Sequence, residues 1–197
     1  MNDDLRRRLL AMREHDLRVR AELAATGELF AGYHARMAAV HEAHALQLRQ
    51  IIGEHGWPDA DLVGDDGAEA AWLVAQHAIG EPAFMRTCRH LVDVASAAGR
   101  IPRWQFAYLD DRIRTFEGRR QRYGTQLRRK RGDVAPCPLV DASRVDEWRR
   151  QVGLPPLADV LARERKQHAR PPTRAEVVAA HHWRRRVGWL GAGEDRT

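Results

Sequence analysis

Of the ten histidines in this 197-residue chain, three stand where the surrounding pattern gives them meaning. His44 falls on one apolar face of a segment near 33–55, with Met37, Val40, Leu48 and Ile51 at helical spacing. His41 lies three residues earlier, so the two imidazoles project to neighbouring sides of one surface. His77 follows the apolar run Trp72-Leu73-Val74. An imidazole on a core-facing stripe needs a polar partner, because burying it unpaired is costly. Further along, Trp104, Tyr108 and Asp111 share a helix face, and Asp111 there also needs a partner, with Arg112 or a histidine the natural choice. The expectation is that His77, Asp111 and the His41/His44 pair converge in a pocket between helices. A carboxylate there would orient an imidazole that moves protons near neutral pH. The plainer alternative is a set of internal hydrogen bonds that fix helix packing.

A second cluster of chemistry-bearing residues is the string Gln121-Arg122-Tyr123-Gly124-Thr125-Gln126. It offers a phenol, a hydroxyl and an amide within four residues, and Gly124 lets the backbone approach a ligand closely. Read as a strand, it puts Tyr123 and Thr125 on one face and Gln126 on the other. A divalent metal is a further reading. His41-Glu42-Ala43-His44 places two imidazoles at i, i+3, and Asp16 or His77 can complete a three-ligand site. The spacing differs from the His-Glu-x-x-His zincin pattern. No other cofactor is indicated. Cys88 and Cys137 have no Cys-x-x-Cys partner and read as free thiols.

The elements that must position these groups are mainly helical. Helices are predicted over about 4–25, 33–55, 66–79, 82–98 and 103–117. Leu9, Met12, Leu17 and Leu23 form the apolar face of the first, and Asp65 or Asp66 caps the third. Pro82 suits the first turn of the fourth. Segments 121–127 and 134–140 then read as arms of a small hairpin, with Arg131-Gly132-Asp133 near the turn and Pro136 and Pro138 confining the second arm to an edge. Short helices at about 143–151 and 156–167 follow. A basic helix at 173–188 and a tail at 191–197 complete the chain. The expected architecture is a single-domain helical bundle over 1–167 with a hairpin at about 121–140, then a basic helix and tail over 168–197.

Composition excludes some classes. At 44% hydrophobic and 30% charged residues, the chain reads as globular rather than mainly disordered. No run approaches the roughly 18 apolar residues of a membrane span. The opening residues show no apolar export core, and two cysteines are too few for a disulfide framework, so the expected setting is cytoplasmic. The formal charge of +6 is unevenly placed: residues 1–117 carry a net −4 and residues 118–197 a net +10. The basic runs are Arg128-Arg129-Lys130-Arg131 and Arg184-Arg185-Arg186. Such runs can bind phosphates, although most charge runs are solvated faces. No helix-turn-helix signature or interleaved aromatic pattern accompanies them.

Taken together, Gln76-His77, Ala107-Tyr108-Leu109 leading to Asp111-Arg112, and Gln121 to Gln126 resemble the pattern of an uncharacterised bacterial domain-of-unknown-function family. That pattern has Gln-His, then Asp-Arg, then Tyr-Gly-Thr/Ser-Gln. The likeness extends upstream through Asp16, the His41/His44 segment, His55-Gly56-Trp57-Pro58 and Val63-Gly64. Downstream it takes in Val152-Gly153-Leu154-Pro155-Pro156-Leu157, so it covers roughly residues 10–165. Members of that family often carry Asn where His44 stands, so the resemblance implies no obligatory ligand role there. The resemblance implies where a site lies and supplies no reaction.

The functional expectation is an enzyme acting on a small molecule or short peptide by His/Asp-assisted acid–base chemistry. Hydrolysis, dehydration or a cyclisation in a biosynthetic pathway suits that equipment. His77 serves as acid/base, Asp111 and Arg112 orient it or the substrate, and Tyr123 polarises a carbonyl. Gln121, Thr125, Gln126, His41 and His44 complete the expected binding surface. The rival expectation is a non-catalytic module whose basic second half meets nucleic acid or an acidic protein partner.

Overall fold

A computed structural model describes residues 1–30, 32–130, 133–166 and 170–191. Among these residues the chain is mainly α-helical, with eight α-helices and one two-stranded antiparallel hairpin late in the sequence. Contacts group the chain into two compact units, Met1–Ile101 and Pro102–Thr197. The 167/168 boundary expected from composition falls inside the second unit, and residues 167–169 lie outside the described residues. No helix among the described residues is long and apolar enough to cross a membrane.

The first unit contains α1 (Asp3–Ala25), a single 3-10 turn (Glu28–Phe30), α2 (Ala35–His55), α3 (Ala60–His77) and α4 (Pro82–Ala97). α1 is capped by the Asn2 side chain, which accepts from Leu5 N–H at 3.1 Å. Its buried stripe is Leu5, Leu9, Met12, Asp16, Val19 and Leu23, a run of alternating three- and four-residue steps. The face expected from Leu17 is therefore displaced by one residue: Leu17 is 47% exposed, and a carboxylate occupies the buried position. Val19 and Leu23 pack with Met37 and Val40 of α2, and Leu29 and Tyr33 cover that cluster.

The third helix begins earlier than its apolar run suggested. Asp59, not Asp65 or Asp66, caps it by accepting from Leu62 N–H at 3.1 Å. Gly64, at φ +73°, breaks the helical path, so the predicted 66–79 segment corresponds to the part beyond this break. Asp66 instead receives Arg6 of α1 through Nε at 2.8 Å. Pro82 occupies the first turn of α4, as its ring geometry favours.

The second unit contains α5 (Arg103–Phe116), β1 (Leu127–Lys130), β2 (Asp133–Pro136), α6 (Val145–Gln151), α7 (Leu157–Arg165) and α8 (Arg174–Arg186). The hairpin pairs Leu127 with Pro136 and Lys130 with Asp133. Arg131 and Gly132, expected near its turn, lie outside the described residues, as do the tail residues 192–197. The predicted first arm starts six residues too early. Gln121 makes an isolated bridge to Leu139, with its N–H on the Pro138 carbonyl at 2.9 Å, and residues 122–126 form a loop before β1 because the amides of Arg122, Tyr123 and Thr125 go to Asp111.

Asp111 of α5, fully buried, accepts from Arg122 N–H at 2.7 Å, Tyr123 N–H at 3.1 Å and Thr125 N–H at 3.0 Å, and from the Thr125 hydroxyl at 3.1 Å. The Gln121 side chain closes the same loop. Its amide nitrogen donates to Gln126 and Cys137 carbonyls at 2.9 and 2.8 Å, and its oxygen accepts from Gln126 N–H at 2.9 Å. Gly124, at φ +67°, makes the bend, and a Cβ there would sit 3.2 Å from Leu157. Arg149, 1% exposed, donates to the Tyr123 carbonyl at 2.7 Å and the Pro155 carbonyl at 2.6 Å. Tyr123, Trp148 and Ala107 form the core beside it.

Two outcomes follow from this packing. Asp111→Ala strands three loop amides and a hydroxyl, so it should destabilise the protein by about 3 kcal/mol, read as a lowered urea midpoint. On α1, Leu9→Ala should cost about 3 kcal/mol, whereas Leu17→Ala should change stability by less than about 0.5 kcal/mol. Equal losses at the two leucines would contradict the observed stripe.

Candidate functional site

The buried stripe of α1 carries its one acid, Asp16, into the interior of the first unit. Two neighbouring helices meet it with histidines. His77, at the end of α3, brings Nδ1 within 3.0 Å of Asp16 Oδ1 and 2.9 Å of Oδ2. His41, on the buried face of α2, places Nε2 at 3.1 Å from Oδ2. The two imidazoles lie 5.1 Å apart between ring centroids. The Asp16 side chain is 2% exposed, His41 7% and His77 15%, so the cluster reaches solvent along its His77 edge.

A shell of further groups holds the histidines. The Tyr33 hydroxyl is 2.8 Å from His41 Nδ1, and the two rings stack at 5.6 Å. His44, one turn along α2, is not part of the carboxylate cluster. Its Nε2 lies 3.3 Å from His15 Nδ1, with the rings edge to face. Electrostatics separate these roles. Burial pushes the Asp16 carboxyl up, but the imidazoles of His41 and His77 outweigh it and hold the group well below the ordinary carboxylate range. Burial, reinforced by His15, pushes His44 down to about 4, so it stays neutral near pH 7. Burial also raises the Tyr33 phenol well above its usual value, so it remains protonated.

Each residue expected from the sequence can now be placed. His41 and His77 come together, and the carboxylate that joins them is Asp16, which the sequence suggested only as an added metal ligand. His44 sits beside them with His15 as partner. Asp111, Tyr123, Gln121, Thr125 and Gln126 form their own group in the second unit, where Asp111 binds loop amides. No ionic pairing with Arg112 or with an imidazole is needed to satisfy that carboxylate. Arg112 is half-buried on α5. The residues missed outright are Tyr33 and His15. Nothing in the spacing marks Tyr33, which precedes α2. His15 adjoins Asp16 and was readable once the stripe was assigned through position 16.

The basic runs are partly committed inside the second unit. Arg129 pairs with Glu164 at 3.2 Å and Arg165 with Asp133 at 2.8 Å. Arg184 of α8 donates to the Thr115 carbonyl near the end of α5 at 3.2 Å, and Phe116 stacks on Trp189 at 5.1 Å.

Asp16, His41 and His77 offer one ligand atom each, all within 4.8 Å of one another, the grouping of N and O donors that a divalent ion uses. Comparison with known proteins adds a family and no activity. No curated protein and no solved structure matches the chain. A family model described as a family of unknown function matches residues 3–166, which include every residue of both clusters, and the chain belongs to that family, DUF6624.

Proposed function

We propose that this protein is an enzyme that moves protons on a small molecule or a short peptide, with the Asp16–His41–His77 cluster as its reaction centre. The observation that carries this reading is one buried carboxylate shared by two imidazoles, one of which reaches solvent. Imidazole is the side chain whose ordinary titration falls near neutral pH, and a carboxylate beside it fixes its orientation and stabilises its charged form. A water or substrate hydroxyl set against the open edge can give up its proton to the cluster and receive it back at a leaving group. Hydrolysis, dehydration and cyclisation all use that sequence of transfers.

The remaining expected residues take different parts in this proposal. Asp111 and Gln121 shape the 121–126 loop rather than handle the proton, since their side chains are occupied by loop amides and carbonyls. His44, kept neutral, is a packing neighbour of the centre and does not exchange its proton. The rival reading, a basic module for nucleic acid or an acidic protein, rests on the +10 of residues 118–197 alone, and several of those arginines are engaged internally.

The test is a screen of ester, amide and peptide substrates with the wild-type protein, followed by variants. His77→Ala should lower turnover by about 10²- to 10⁴-fold. Its far-UV circular dichroism should match wild type, because the side chain lies at the solvent edge. Full turnover in a folded His77→Ala protein would remove the cluster from the chemistry.

A further inference from the structure

The contact between His41 and Asp16 has a feature that a plain hydrogen-bond network does not explain. His41 Nε2 lies 3.1 Å from Asp16 Oδ2, close enough for a hydrogen bond. That buried nitrogen nevertheless makes no hydrogen bond to a partner among the described residues. A ring hydrogen with no acceptor in a buried position is costly. The cost disappears if the proton sits on Nδ1, where the Tyr33 oxygen at 2.8 Å accepts it. Nε2 then turns a lone pair towards a carboxylate oxygen. Two electron-rich atoms at this distance repel one another, and a metal ion between them would turn that repulsion into attraction.

We propose that Asp16, His41 and His77 bind a divalent transition-metal ion through one carboxylate oxygen, His41 Nε2 and His77 Nδ1. Ligand atoms about 2.0–2.2 Å from one ion lie roughly 3.0–4.2 Å from each other. The Asp16–His41 and Asp16–His77 separations of 3.1 and 2.9 Å are already close to the lower end, and the whole set spans no more than 4.8 Å. Small rotations of the two imidazoles bring the set to bonding distance. The donors, two imidazoles and one carboxylate, suit zinc and its first-row neighbours better than calcium or magnesium, which favour all-oxygen sites. Three protein ligands leave a position for water, the mark of a catalytic rather than a structural site.

Tyr33 fits as the group behind the ligand. A metal-bound histidine characteristically donates its second ring N–H to a fixed acceptor, which sets the tautomer and aims the bare nitrogen at the ion. Tyr33 is thus a positioning residue, acting through His41. His44, paired with His15, is excluded from the ligand set although its spacing from His41 first suggested metal binding.

The ion would be the cofactor of the centre proposed above, so its catalytic meaning rests on that reading, while its binding does not. Bound water at the open position would become the group that loses and regains the proton. The full chain, stripped with chelator and dialysed, should take up one equivalent of Zn²⁺ by calorimetry and give a one-to-one Co²⁺ complex with visible d–d absorption. Asp16→Asn and His77→Ala should each weaken Zn²⁺ by at least about 100-fold, and Tyr33→Phe by about 10- to 100-fold. Absence of saturable Zn²⁺ and Co²⁺ uptake by wild type overturns the proposal. So does one equivalent bound within tenfold of wild-type affinity by both ligand variants when folded. His77→Ala guards against misfolding of Asp16→Asn, because its side chain is the most exposed of the three. Turnover in a protein that takes up neither Zn²⁺ nor Co²⁺ would sink the metal and leave the proton-transfer reading standing. Tight metal binding by wild type together with full turnover in folded His77→Ala protein would do the reverse.

Discussion

One acidic side chain sets the register of the first unit. Asp16 occupies a stripe position between Met12 and Val19, where five of the six buried residues are aliphatic or Met. A carboxylate sealed from water is tolerated only when charge and hydrogen-bonding demand are met locally. The partners come from two other helices, His41 from the middle of α2 and His77 from the last turn of α3. A shift of either helix by one residue would turn its imidazole away and leave the carboxylate bare. The aliphatic contacts of Val19, Leu23, Met37 and Val40 are permissive by comparison, since apolar surfaces slide and repack at modest cost.

The second unit answers the same physical demand in a different way. Asp111 is as deeply buried as Asp16, but its donors are three backbone amides and a hydroxyl. Amides do not titrate and cannot leave without unfolding the loop, so this carboxylate is spent on conformation. Burial pushes its carboxyl up, and the loop amides and the Thr125 hydroxyl offset that only in part. Asp16, by contrast, is met by two imidazoles, the side-chain type that titrates near neutral pH and that can serve as a metal ligand. Burial and acidity alone do not separate a structural carboxylate from a chemical one. The nature of the donors does.

That distinction also explains what could be read from the sequence. Helix number, the late hairpin and the buried character of His41, His44 and Asp111 were legible, because three- and four-residue periodicity and turn residues report local structure directly. The face of α1 was assigned through Leu17 because leucine weighs more than aspartate in any apolar count, although the 5–9–12–16–19–23 series was present. The start of α3 was hidden by Gly64, whose break interrupts the apolar run. Residues 121–126 alternate in type as a strand does, yet only Gln121 bridges the second arm, and the amides of Arg122, Tyr123 and Thr125 point at a distant carboxylate. Pairings such as Asp16 with His77, 61 residues apart, leave no periodic trace.

The His41 ring brings these strands of argument together. Its position on the buried face of α2 is fixed by helix periodicity, its tautomer by Tyr33, and its open nitrogen by the direction of the Asp16 carboxylate. Buried ring nitrogens are ordinarily partnered, and His44, whose Nδ1 also makes no hydrogen bond among the described residues, lacks the adjacent carboxylate that His41 has. In His41 one nitrogen meets Tyr33 and the other lies 3.1 Å from a carboxylate oxygen without a hydrogen bond. That asymmetry is unfavourable for packing alone and favourable for holding a cation. A bare ring nitrogen beside a carboxylate oxygen is the donor pair that the proposed metal site would use.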